Sequence, residues 1–333
     1  MGVIEPTPDT WEAIIENMCA VGDGMRVRAK CIILILLISI IPSTNAGAPE
    51  DLDEVGFVFG GVHIDANSSE NATMALSDLP AIVEDYTATW CTNCVKVEHA
   101  LDDVEETNDM QQYHFHRFIG ENEDPLGSQE GDDRWIERYE QRLPPTVVFN
   151  GTLRQIGSVP SGDSLQDDYN ANLQNPLSLG QGTSTLGWMA STNNSSAMAT
   201  WNLVIDTSAI PEGATIKSSL WVVEHLAYFP DGSNGEDYYH ESVRGIIELG
   251  DSMSGSMEVT LPTAYDGDDL EIHLIHEVVL PEPESEEPLD EEECMIPEGC
   301  EEDDEDSGLP SISLIAALSV IMVAAFTAQR RLR

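Results

Sequence analysis

The part of this chain best equipped for chemistry is Trp90-Cys91-Thr92-Asn93-Cys94, two thiols with two residues between them. That spacing lets the second sulfur reach the first, so the pair can close and open a disulfide by thiolate exchange. The elements on either side decide how reactive the first sulfur is. Pro80-Ala81-Ile82-Val83-Glu84-Asp85-Tyr86 reads as a short buried strand, and Glu98 to Val104 has helix-forming composition, which puts the pair at a strand-to-helix turn. A thiol in the first turn of a helix faces unpaired backbone N–H groups and the positive end of the helix dipole, and both favour thiolate. A static disulfide and half of a zinc site use the same spacing, so residue pattern alone leaves three readings open.

Over residues 79–174 the chain resembles the thioredoxin family at four points. Trp90 directly precedes the first cysteine. Asp85 stands six positions before Cys91. Pro145-Thr146 lies in Arg142-Leu143-Pro144-Pro145-Thr146-Val147-Val148-Phe149, and Phe149-Asn150-Gly151-Thr152 follows with an Asn-Gly turn signal. The resemblance implies that Cys91 attacks, Cys94 resolves, Asp85 is a buried acid that moves the proton of Cys94, and Pro145 is a cis-proline facing the substrate, X–Pro being the bond type where cis is inexpensive. Thr92-Asn93 stands where reducing thioredoxins carry Gly-Pro, and Val95 where they carry lysine. The resemblance therefore implies the chemistry but not its potential.

Composition narrows the partners. The 333 residues carry 14 Lys+Arg against 61 Asp+Glu, a formal net charge of -47, which repels phosphate backbones and excludes nucleic acid as a partner. Met25-Arg26-Val27-Arg28-Ala29-Lys30, then an apolar run from Cys31 to Ile41, then Pro42-Ser43-Thr44-Asn45-Ala46 has the layout of a signal peptide cleaved near Ala46, with Met25 as a candidate true start. Export would leave Cys91, Cys94, Cys294 and Cys300, an even number suited to an oxidising compartment. Asn67, Asn71, Asn150, Asn193 and Asn194 head sequons on what would be an exported surface.

The expected organisation is an α/β thioredoxin-like domain followed by an all-β immunoglobulin-like sandwich, then an acidic disordered stalk and one C-terminal transmembrane helix. Residues 1–46 are leader, and 47–78 are a lead-in strand, Val55 to Ile64, followed by a Ser/Asn/Thr-rich loop. In the thioredoxin-like part, strands fall at 80–86, 113–119, 146–149 and 153–157, and helices at about 92–106, 133–141 and 163–173. Residues 175–281 hold six short strands between turn clusters, the mark of a sandwich. In its last strand Leu270, Ile272, Leu274, Val278 and Leu280 share one face while Glu271, His273 and Glu277 share the other, which predicts one wet side. Leu220 to His225 with His240-Glu241-Ser242-Val243-Arg244 resembles a bacterial outer-membrane-protein family that joins a thioredoxin-like domain to a sandwich. Residues 282–308 are the stalk, 309–328 the membrane span, and 329–333 a basic end that marks the cytoplasmic side.

The function these features imply is a membrane-anchored, extracytoplasmic thiol–disulfide oxidoreductase acting on exported protein thiols or disulfides and serviced by an unknown redox partner. The competing reading is a cell-surface or adhesion protein with a structural disulfide. No cofactor and no metal centre are expected. His114 and His116 share a strand face and suit either metal ligation or half-buried strand positions, and loops 231–237 and 266–269 suit either calcium or solvated acidic turns.

Overall fold

The computed structural model describes residues 47–52, 54–191 and 196–281. Strand dominates. The strands are β1 (Glu50–Asp51), β2 (Phe57–Asp65), β3 (Ser69–Ala75), β4 (Ala81–Thr87), β5 (Met110–His116), β6 (Thr146–Phe149), β7 (Leu153–Ile156), β8 (Gly182–Ala190), β9 (Ser196–Ile205), β10 (Thr215–Tyr228), β11 (Tyr238–Gly250), β12 (Ser254–Thr260) and β13 (Leu270–Val279). The α-helices among the described residues are α1 (Cys94–Glu105), α2 (Gln129–Tyr139) and α3 (Leu165–Asn172).

A thioredoxin-like α/β domain in series with a separate immunoglobulin-like sandwich is not what the chain forms. One mixed sheet of nine strands, in the order β1-β7-β6-β4-β5-β11-β10-β13-β2, runs through both expected domains, and a four-stranded sheet, β12-β9-β8-β3, accompanies it. The junction is a parallel bridge between His114 of β5 and Ser242 of β11. The lead-in strand β2 forms its ladder with β13 at the edge of the large sheet, and the expected loop at 69–75 is β3, laddered to β8. The physical reason is that periodicity reports which face of a strand is apolar and says nothing about which edge will find a partner.

Packing follows from alternation. In β10, Leu220 and Val222 point toward Leu186, Trp188 and Trp201 of the smaller sheet, while Trp221 and Val223 point the other way, toward Trp135 and Tyr139 of α2. On the β4–β6 side, α1 and α3 cover the sheet through Val97, Leu101, Val104 and Tyr169 against Val83, Val147 and Phe149. The predicted wet side of the last strand is therefore a correction: His273 is fully buried, and Glu277 lies beneath α2 in ion pairs with Arg134 and Arg138. Ile275, on the same face as His273 and Glu277, joins the aromatic core under α2, and the extra residue of the β2–β13 ladder, Gly61, falls on β2.

Among the described residues no helix is long and apolar enough to cross a membrane. The expected leader, stalk, transmembrane helix, basic end, Cys294, Cys300 and the Asn193 and Asn194 sequons lie outside the described residues. Asn150 is buried and its Oδ1 accepts the Ile82 N–H at 2.9 Å, so that sequon is a structural turn, whereas Asn67 and Asn71 are exposed.

Candidate functional site

β4 delivers the chain into the turn that holds the cysteines. Cys91 and Cys94 are joined by a disulfide with S–S 2.05 Å, and Cys94 is the first residue of α1. The Cys91 N–H donates to the Ala88 carbonyl at 2.9 Å, while the Cys94 N–H lies 3.1 Å from the Cys91 carbonyl and 3.2 Å from Cys91 Sγ. At the N-cap, Asn93 makes no side-chain capping bond, and the first turn holds no acid. The positive end of α1 is thus left to the sulfur of Cys91, the arrangement that favours a thiolate once the disulfide is reduced. Cys91 is 7% exposed and Cys94 0%, which makes Cys91 the sulfur nearer solvent.

Neighbouring groups brace this turn from several elements. Trp90 packs on the cysteines, donates from Nε1 to Glu121 Oε2 at 2.9 Å, and carries the Arg117 guanidinium 5.6 Å from its ring. The Thr89 N–H donates to Asp124 Oδ2 at 2.8 Å, and the Thr89 carbonyl accepts the Asn234 N–H at 3.1 Å. The loop 231–237 therefore touches the cysteine turn directly, a contact for which the sequence carries no local signal. The Pro144–Pro145 bond is cis, and Pro145 is buried with its carbonyl accepting the Gly157 N–H at 2.9 Å. Antiparallel pairing of Tyr86 with Thr146 sets Pro145 at the end of β4 from which the cysteine turn departs.

Beneath the helix bearing Cys94 lies a second group of titratable residues. Asp85 is fully buried, its Oδ2 is 3.3 Å from His114 Nδ1, and its Oδ1 has no hydrogen-bond partner. Glu98 of α1 accepts from Thr87 Oγ1 at 2.5 Å. Burial pushes the Glu98 carboxyl up, the charge of Asp85 adds to that, and His114 opposes it. For His114 burial acts downward, but the Asp85 carboxylate outweighs it, with help from Glu98 and Asp102, and raises the imidazole to about 9. Glu98, His99, Asp102, His114, His116 and His240 line a cleft of about 260 Å³ there.

The other metal and calcium expectations meet different surroundings. His116 is buried against Asp124 Oδ2 at 2.9 Å, where the pair holds Asp124 below the usual carboxylate range against the opposing effect of burial. Asp266 Oδ2 accepts the Tyr228 N–H and Asp269 Oδ2 the Leu226 N–H, while Asp269 Oδ1 is buried without a hydrogen-bond partner. Glu98, Asp124 and Glu121 were not among the residues singled out from sequence; they reach the site only through α1 and the loop after β5. In the His-x-x-Val-Arg stretch, Val243 joins the core under α2, and Arg244 pairs with Glu224 while donating to the Leu126 carbonyl.

No family model and no curated protein matches the chain. Two solved structures resemble part of it. One is a structural-genomics protein from Agrobacterium tumefaciens, 15% identical, with a TM-score of 0.35, covering 62% of this chain and 96% of its own. The other is HBP35 of Porphyromonas gingivalis, 13% identical, with a TM-score of 0.39, covering 60% and 73%. Likeness at that level supports no conclusion about fold or function.

Proposed function

We propose that the protein is a thiol–disulfide oxidoreductase acting through Cys91 and Cys94 on the thiols or disulfides of exported proteins. The observation that carries the reading is the Cys94 N–H, 3.2 Å from Cys91 Sγ at the uncapped start of α1. A hydrogen bond to a charged group contributes about 1.5–3 kcal/mol, enough to lower a thiol's proton affinity substantially. In the reducing direction the Cys91 thiolate attacks one sulfur of a substrate disulfide. A mixed disulfide forms and the other substrate sulfur leaves as thiolate. Cys94, having lost its proton with Asp85 as acceptor, then attacks Cys91 Sγ and releases the second substrate sulfur. The substrate gains two electrons and the cysteine pair is left oxidised, to be re-reduced by a dithiol partner. Run backwards, the same steps oxidise a substrate dithiol.

Membrane anchoring and an extracytoplasmic location belong to this proposal on the strength of residues 25–46 and 312–333. A second reading, a surface protein with a static crosslink, is favoured by the low exposure of both sulfurs. Trapping separates them. Cys94→Ser should accumulate mixed disulfides with exported proteins, and Cys91→Ser should abolish both trapping and insulin-disulfide reduction. A Cys94→Ser protein that traps nothing supports the crosslink.

A further inference from the structure

We propose that Asp85, Glu98 and His114 form a binding site for a divalent transition-metal ion, with zinc the ion that fits, in the cleft beneath the helix bearing Cys94. The three side chains come from β4, α1 and β5. Asp85 and His114 are cross-strand partners in the parallel ladder, and Glu98 stands one turn into α1. One ligand atom from each lies within 4.8 Å of the others. Ligands of a single tetrahedral zinc with bonds of about 2.0–2.2 Å sit roughly 3.4 Å apart, so modest side-chain movement closes the set.

Three independent features point to an ion. First, Asp85 Oδ1 is fully buried with no hydrogen-bond partner, a costly state for a carboxylate that a cation would relieve. Second, the imidazole is held from behind. His114 Nε2 is 3.3 Å from Gln112 Oε1, and the Gln112 amide is oriented by its own donations to Asp102 Oδ1 at 3.2 Å and Glu105 Oε2 at 2.8 Å. An Nε2–H donating to Gln112 leaves the Nδ1 lone pair turned toward the carboxylates, the outer support that metal-binding histidines use. Third, the ligand set is chemically apt. Once the ion displaces the proton that His114 shares with Asp85, two carboxylates and one neutral imidazole neutralise its 2+ charge, and three protein ligands leave a tetrahedral zinc one position for an exogenous group. Glu98 and His114 also line the cleft, which gives the ion an entry path.

A second group, Glu241, Glu271 and His273, meets the same distance test but lacks the orphan. Its members are already engaged: Glu241 with His225 at 2.6 Å, Glu271 with His273 at 3.1 Å, and His273 Nδ1 with the Tyr113 hydroxyl at 3.0 Å. It serves as the internal control.

The test is equilibrium dialysis of the full oxidised chain against zinc chloride, with bound zinc counted by atomic emission. The expected result is one tight zinc per chain, with affinity falling at least tenfold in Glu98→Gln and in His114→Gln. Binding should persist in the Cys91→Ser/Cys94→Ser double variant and in Glu271→Gln. Cobalt loaded into the unaltered protein should give d–d bands without a thiolate charge-transfer band, a readout that does not depend on any variant folding. No tight zinc, binding unaffected by Glu98→Gln and His114→Gln, loss of binding with the cysteines or with Glu271→Gln, or a thiolate band would each overturn the assignment. Because binding is measured on the closed disulfide, where Cys94 has no proton to give, these outcomes are independent of whether the thiols exchange; exchange with Asp85 as acceptor belongs to the zinc-free chain.

Discussion

Glu84 and Asp85 are adjacent on β4, both fully buried, and alternate to opposite faces of the sheet. Their surroundings differ sharply. Glu84 accepts two bonds from Arg134, at 2.7 and 2.9 Å, and a third from the Tyr139 hydroxyl at 2.5 Å. Arg134 continues to Glu277 of β13 and lies 4.7 Å over the Trp221 ring, so this network fastens α2 to both halves of the large sheet. Asp85 has one imidazole at ion-pair distance and an unpartnered oxygen. A saturated buried carboxylate holds the fold; one left unsatisfied holds stability back for a ligand or a proton.

Removing one partner from the saturated side should have the largest effect. Glu84→Gln breaks the bidentate contact and leaves Arg134 with Glu277 alone, which predicts a loss of about 3 kcal/mol in urea unfolding. A loss under about 1 kcal/mol would mean that α2 is held by packing alone.

A second contrast, between two buried histidines, predicts an intermediate effect set by pH. Where His114 faces carboxylates, His276 faces only the hydroxyls of Ser184 at 2.9 Å and Ser218 at 2.8 Å, and burial drives it down to about 3. Its folded pKa lies below the ordinary 6.5, so the unfolded chain binds the extra proton between those values. The stabilisation is complete above 6.5 and is lost as pH falls. From pH 6.5 to 5 the loss is about 2 kcal/mol at 1.36 kcal/mol per unit. His276→Gln should remove that part of the slope, and an unchanged slope in the variant would assign it elsewhere.

The smallest effect belongs to the unsaturated side. Asp85→Asn removes a poorly compensated buried charge, so stability should move by less than about 1 kcal/mol while reduction of a disulfide substrate slows. A stability loss matching that of Glu84→Gln would erase the distinction between the two carboxylates.

Much of the local structure was legible. Helix composition after the cysteines predicts about 92–106 for what is Cys94–Glu105, and strand 146–149 coincides with Thr146–Phe149. The sequence pattern places the start of α2 late, at 133 instead of Gln129, because its cap is Ser128 accepting the Gly131 N–H at 3.1 Å inside a stretch that reads as an acidic loop. Within the candidate site, Cys91, Cys94, Trp90, Asp85 and Pro145 stand out by residue type and order. Glu98 does not, since a glutamate on a helix in so acidic a chain is unremarkable until burial is known.

The sequence by itself determined where most strands and helices form, β3 excepted, and that two cysteines meet at a helix start, because propensity and two-residue spacing act over a few neighbouring positions. Only the tertiary structure decided that the two halves share one sheet, that β13 has no wet side, and that Asp85, Glu98 and His114 converge. Edge pairing and helix docking bring together residues far apart in the chain, and their consequence for a carboxylate, whether it is saturated or left wanting, depends on what burial places against it.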